Sequence, residues 1–229
     1  MIGTRRVLAV VPARSGSRRL VDKNSRPLCG RPMVAWTLEA AGASALIDRV
    51  VVSTDDPAVA AIATEMGYPP PFVRPAHLSG PTASVIDAIE HALHAVGGVW
   101  DYVVLLQPTS PLRLAGDIDD AIRLCDAGAA PAVIGVSPLP KPAAFYGRIE
   151  AGNRFSPGGV DLERTVAING AVYVGRPEVL MRDRTFQSEG ALAHLMPFER
   201  SWDVDTPAEF AVCEALLPFR AVESGRAPD

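Results

Sequence analysis

Arg14, Arg18, Arg19 and Lys23 fall within ten consecutive residues, interleaved with Ser15, Gly16 and Ser17 and followed by Asn24. Four cations in so short a stretch need an anion. A glycine-bearing loop with small hydroxyls can also aim backbone N–H groups at phosphate. Far along the chain Asp203 and Asp205 flank Val204. In an extended segment residues two apart share a face, so these carboxylates repel unless water, cations or a divalent metal lie between them. Magnesium is held by one or two carboxylates together with substrate phosphates, and a polyphosphate bound with that metal would use both groups of residues. One lysine–phosphate contact at ~4 Å is worth about 1 kcal/mol in water and about 4 at an effective dielectric near 20. Tight binding therefore needs several cations and N–H donors in a partly dried cleft. Each group taken alone also has a plainer reading, a solvated basic loop and acids at a helix start favoured by its dipole.

The elements that must position these residues follow from hydrophobic patterning. Val7 to Pro12 is apolar without alternation, the pattern of a central strand buried on both faces of a parallel sheet. The basic loop leaves its carboxyl end, where ligands bind in open α/β sheets. Arg31-Pro32 opens a helix, Ile47 to Val52 is a second buried strand, and residues 57 to 66 form a short helix. The proline-rich stretch 68 to 81 predicts irregular chain with a short strand near Phe72 and Val73. Thr82 or Ser84 starts a helix in which Val85, Ile89, Leu93 and Val96 recur at helical spacing. His91 and His94 lie on it without a third ligand nearby and carry no expected role. Residues 101 to 107 form a third strand ending at Gln107, residues 117 to 126 a helix, and Ala132 to Val136 a strand expected to complete the core sheet.

From 137 to 164 prolines and glycines mark an excursion from the sheet, expected to close over a ligand or to make a dimer contact. Residues 165 to 174 return as a strand interrupted at Asn169-Gly170. Ser201 to Val204 is extended, and Thr206 and Glu209 form a capping box before a helix running to about Leu217. The tail, 219 to 229, is expected to be frayed. The expected organisation is one domain over 1–229, an α/β, Rossmann-like nucleotide-binding domain with a mostly parallel sheet and this small excursion.

The chain has 229 residues, 48% hydrophobic and 21% charged, with a formal charge of −4. That balance describes a folded domain and argues against general nucleic-acid binding. No stretch reaches the ~18 apolar residues of a membrane span. The N-terminal apolar run reads as a strand, not a signal peptide. Cys29, Cys125 and Cys213 are far apart and odd in number, which suggests neither a disulfide framework nor a zinc site and makes a reducing cytoplasm the default.

Five segments in order, PARSGSRRLVDKN, RPAHLSGPTAS, LLQPTSPLR, NGAVYV and DVDTPAEF, resemble the acylneuraminate (CMP-sialic acid) cytidylyltransferases and together span nearly the whole chain. The resemblance implies a magnesium-dependent homodimer that transfers CMP from CTP to the anomeric hydroxyl of a nine-carbon 2-keto acid sugar and releases pyrophosphate. Sialic, legionaminic and pseudaminic acids are the acceptors it leaves open. A different acidic or phosphorylated acceptor, or an idle nucleotide-binding protein of this fold, stands beside that reading.

By the same resemblance Arg14, Ser15, Gly16, Ser17, Arg18, Lys23 and Asn24 belong to the nucleotide-binding loop, and Arg74, Thr82 and Ser84 to a second nucleotide-contacting segment. Gln107, Lys141, Arg164 and Asn169 fall on the acceptor side, with Asp203 and Asp205 as metal ligands. Arg14, Lys23 and Asp205 are those expected to act on the reaction itself. Pro81 stands where the family often has aspartate, and Val21 where proline is common.

Overall fold

A computed structural model of the chain describes residues 1–17, 19–80, 82–142, 145–157 and 164–223, and the side chains of these up to residue 220. Arg18 and Pro81 lie outside the described residues, as do parts of the excursion and the last six residues. The first strand, β1 (Val7–Pro12), has Val7, Leu8, Ala9, Val10 and Val11 fully buried. Val7, Ala9 and Val11 face one core cluster and Leu8 and Val10 the other, the alternation of a strand covered on both sides. β1 pairs in parallel with β4 (Arg49–Ser53) on one side and β5 (Tyr102–Leu105) on the other. Two helices, α1 (Met33–Gly42) and α2 (Pro57–Glu65), pack on the face of Val7 and Val11, joined by α4 (Ala115–Ala127). The opposite face is covered by α3 (Val85–Val96) with α5 (Pro177–Asp183) beside it, its Leu180 in the same core cluster. The result is three layers, helix, sheet and helix.

The sheet does not end at β6 (Ala132–Pro138), where the sequence pattern closes it. It has six strands in the order β10-β6-β9-β5-β1-β4, with β9 (Val166–Gly175) inserted antiparallel between β5 and β6 and β10 (Leu192–Leu195) added in parallel at the edge. The register between β6 and β9 shifts between Ile134 and Val136, placing extra β9 residues opposite Gly135. A Cβ on Gly135 would lie 2.8 Å from Asn169 Oδ1 and 2.9 Å from Val172 O, so this glycine lets β9 bulge towards it. A separate two-stranded ribbon pairs β2 (Pro27–Leu28) with β3 (Arg31–Pro32). In the excursion, β7 (Gly147–Glu150) and β8 (Arg154–Pro157) form an exposed antiparallel hairpin.

Other expectations shift for local reasons. Phe72 and Val73 form no strand; the Phe72 ring instead meets His91 edge-on at 4.5 Å. Ser201–Val204 pairs with no strand, but Val204 N donates to Thr109 O at 2.7 Å. The last helix, α6 (Pro207–Glu223), runs past Leu217 through Pro218. Proline removes the N–H that would bond the carbonyl four residues back, and here Cys29 Sγ donates to that carbonyl, Glu214 O, at 3.3 Å. The Thr206–Glu209 capping box forms, Glu209 Oε2 accepting from Asp205 N at 2.8 Å and Thr206 N at 2.7 Å.

One buried guanidinium locks the sheet end to the helices. Arg113 is fully buried; it donates to Thr37 Oγ1 of α1 at 2.8 Å, to Ala171 O of β9, and to Gln107 O at the end of β5 at 3.4 Å. Burial lowers its pKa to about 9. Replacing it takes a donor from Thr37 Oγ1 and Ala171 O in buried surroundings, at about 1–3 kcal/mol each, whereas Gln107 O keeps Ser110 N at 3.3 Å. Arg113→Met is therefore expected to lower the urea midpoint by an amount equivalent to about 3 kcal/mol or more at unchanged m-value. A midpoint within experimental error of wild type would contradict this role.

Candidate active site

Strands β1, β4 and β5 end side by side, and a cleft of about 630 Å³ opens at their carboxyl ends. Its described charged lining is Arg14, Arg19, Lys23 and Arg74 against the single carboxylate of Asp205. Ser17, Asn24, Ser84 and Gln107 also face it. Ser84 is the N-cap of α3, its side chain accepting from Ile86 N at 3.1 Å. The helix start, where N–H groups and the dipole favour anions, is thus turned to the same cleft.

The loop after β1 is held from below. Thr54 Oγ1 donates to Ala13 O at 2.6 Å, and Asn24 Nδ2 donates to Arg14 O at 3.1 Å. Ser15 donates from its backbone N to Asp55 Oδ1 at 2.9 Å and from Oγ to Asp55 Oδ2 at 2.6 Å. Gly16 then takes φ +70° with nothing within 4 Å of a Cβ position, a turn that L side chains resist. Arg74 is buried beneath the loop, its Nε donating to Ser53 Oγ at 3.0 Å and its Nη2 to Ser53 O. Burial pulls its pKa down to about 10, with Asp55 opposing the shift and Arg14 adding to it, which leaves it charged at neutral pH.

Asp203 and Asp205 differ sharply in surroundings. Asp205 accepts from Lys23 Nζ at 3.0 Å and Arg19 Nη2 at 2.6 Å, while Lys23 also donates to Val204 O at 2.9 Å. Burial works against ionisation of Asp205, but Lys23 and then Arg19 outweigh it and hold the carboxyl below the usual range. Asp203 is more enclosed; burial raises its pKa against a hydrogen bond with Thr109, and its Oδ1 is buried with no hydrogen-bond partner among the described residues. Gly170, at φ +73°, lets β9 pass between this acid and Gln107: a Cβ there would sit 3.5 Å from Gln107 Oε1 and 3.6 Å from Asp203 Cγ.

Folded protein binds a proton at Asp203 more tightly than unfolded chain does, so stability falls as pH rises from the unfolded value, about 3.9, through the raised folded value. Asp203→Asn removes that slope. Its thermal midpoint is expected to exceed that of wild type at pH 7, the difference shrinking towards pH 4; a lower midpoint at pH 7 would show that the ionised carboxylate is held by groups that stabilise it.

The remaining sequence-predicted residues divide. Thr82, Lys141 and Arg164 are exposed and absent from the cleft lining. Asn169 is buried and turned into the bulge, donating from Nδ2 to Ser201 Oγ at 3.0 Å and accepting at Oδ1 from Ala171 N at 3.0 Å. It shapes the strand that brings Gly170 to Gln107 and Asp203. Asp55 and the Arg19–Asp205 pair had no signal beyond residue type, since their partners lie far away in sequence.

The family model for cytidylyltransferases matches residues 8–133, from β1 to β6. A CMP-N,N'-diacetyllegionaminic acid synthase of Legionella pneumophila is 34% identical over 93% of this chain and 96% of its own length. The chain belongs to the cytidylyltransferase family. An N-acylneuraminate cytidylyltransferase of Escherichia coli is 30% identical over 90% of this cytidylyltransferase, which spans 50% of that relative's length. Among solved structures, a CMP:2-keto-3-deoxy-manno-octonic acid synthetase complexed with CTP superposes at a TM-score of 0.67 over 96% of this chain and 99% of its own, at 21% identity. That likeness shows a shared three-layer α/β fold.

Proposed function

We propose that this cytidylyltransferase transfers CMP from CTP to the anomeric hydroxyl of a 2-keto acid sugar such as sialic, legionaminic or pseudaminic acid. The observation that carries this is the cleft at the carboxyl ends of β1, β4 and β5, lined among the described residues by four cations and the start of α3 against one carboxylate. Its relatives' names supply the nucleotide and acceptor class. The acceptor oxygen forms a bond to the α-phosphorus as the bond from that phosphorus to the bridging oxygen breaks; pyrophosphate leaves with the electron pair, and the hydroxyl proton passes to solvent. Arg14, Arg19 and Lys23 hold the phosphate oxygens and the departing pyrophosphate, and Arg74 adds its field from beneath the loop. Positioning and preorganised charge supply most of the rate. Gln107, beside Gly170 and Asp203, orients the acceptor.

Magnesium fits the acids: Asp203 has a buried oxygen with no hydrogen-bond partner among the described residues, and Asp205 faces the cleft two residues away. The metal would be held by both and would neutralise phosphate charge. Arg19 and Lys23, which neutralise Asp205 in the free protein, then turn to phosphate oxygens. The protein works as a homodimer in the cytoplasm. Support for the dimer is the exposed β7–β8 hairpin, where Ile149 is 82% and Phe155 68% exposed, an apolar surface suited to a second copy. Three unpaired cysteines suit a reducing compartment.

Phosphorus NMR of the enzyme with CTP, magnesium and N-acetylneuraminic or legionaminic acid tests the chemistry. The triphosphate signals should give way to one phosphodiester signal and pyrophosphate; free CMP instead would mean hydrolysis and overturn the transfer.

A further inference from the structure

We propose that Asp55 is a positioning residue that sets the phosphate-binding loop, acting through Ser15 without touching the nucleotide; this deepens the reading of the cleft as a CTP site. A carboxylate at the edge of a polyanion site is unfavourable unless its charge is consumed. Here both oxygens are taken by one residue of the loop, Oδ1 by Ser15 N at 2.9 Å and Oδ2 by Ser15 Oγ at 2.6 Å. These hydrogen bonds hold the Asp55 carboxyl below its usual range although burial opposes them. Ser15 therefore has neither donor free for a ligand in this arrangement.

The anchor sits where it matters. β1 and β4 pair in parallel up to Pro12 and Ser53, and Ala13 N then donates to Ser53 O at 3.0 Å. The Asp55 bonds extend that strand pairing past its end, to Ser15, three residues beyond Pro12. Gly16 follows at once in a left-handed conformation with open space around it. The pinned chain thus stops one residue short of the turn, which fixes where Arg14 lies and where the loop N–H groups point before any ligand arrives. Such preorganisation shows up as affinity rather than as a new contact. Geometry, not charge, is the operative property. Asparagine can reproduce both contacts, its oxygen accepting from Ser15 N and its amide donating to Ser15 Oγ, whereas alanine reproduces neither.

The test compares Asp55→Asn and Asp55→Ala in two readouts. In nucleotide-free protein, amide exchange at Ser15 should accelerate about tenfold or more in Asp55→Ala, stay near wild type in Asp55→Asn, and leave Val7–Val11 protected in both. In steady state, KM for CTP should rise by about tenfold in Asp55→Ala with kcat changed far less, and Asp55→Asn should restore it. Unchanged Ser15 exchange in Asp55→Ala would overturn the anchor. Faster exchange with unaltered CTP affinity would overturn its role in binding. Asp55→Asn as impaired as Asp55→Ala would show that charge, not geometry, is used. The exchange readout needs no CTP, so a wild-type protein that failed to bind CTP would count against the nucleotide reading while leaving the anchor to be judged on exchange.

Discussion

Asp205→Asn should change metal-free and metal-dependent behaviour in opposite directions. In wild type the Asp205 carboxylate occupies Lys23 and Arg19 at 3.0 and 2.6 Å and presents a negative charge to the cleft. Neutralising it frees both cations and removes a repulsion, so CTP in the presence of EDTA should bind more tightly, by up to about fivefold, the equivalent of about 1 kcal/mol for a partly exposed pair. With magnesium, the proposed metal site predicts a collapse of turnover by about 10²–10³-fold, because a metal held there would lose a carboxylate and the phosphates its counter-charge. Calorimetry in EDTA and initial rates at limiting magnesium read the two effects separately. Wild-type turnover at limiting magnesium would remove Asp205 from the metal site, and weaker metal-free binding would show that the carboxylate organises the cations rather than blocking them.

Lys23→Ala should be far more damaging than Arg19→Ala, although both cations meet Asp205 in the same cleft. The Lys23 side chain is 13% exposed, against 66% for Arg19, so its charge acts in the drier environment where electrostatics is strongest. It also ties the loop to Val204 O. A fall in kcat/KM of about 10²–10³-fold is expected, shared between KM for CTP and kcat because pyrophosphate charge grows in the transition state. Arg19→Ala, on the exposed side, should cost far less. Equal losses in the two variants would mean that exposure does not order these cations, and an unchanged kcat/KM in Lys23→Ala would remove it from the reaction.

Much of the scaffold was legible because its signals are local. Five fully buried residues in β1 leave no polar position to disguise the strand. The spacing of Ile89 and Val85 and the N-cap serine locate α3, and the Thr206–Glu209 box forms as residue types three apart allow. What escaped is non-local. Nothing in the composition of β9 tells an antiparallel insertion from a parallel strand, since the buried run Ala171, Val172 and Val174 would suit neighbours of either direction. β10 has only four residues, one a histidine, too short to show a period.

The site divides in the same way. A cluster of cations beside a strand end could be read directly, and the two acids at Asp203 and Asp205 could be paired by their spacing. Their unequal environments could not, because the burial of Asp203 comes from Gly170 and Thr109 and the neutralisation of Asp205 from residues more than 180 positions away in the chain. Asn169 had the type of a ligand-binding residue, yet its amide is used by Ser201 and Ala171. Asp55 looked like part of a polar turn and proves to be the partner of Ser15.

The most direct test of the account is pyrophosphate release from CTP, ATP, GTP and UTP, each with magnesium, against a set of acids that includes N-acetylneuraminic and legionaminic acid. Release confined to CTP and dependent on one 2-keto acid sugar is the predicted result, and it would name the acceptor as well. Release that needs no acid, release that favours another nucleotide, or none with any acid although CTP binds, would contradict cytidylyl transfer at this cleft.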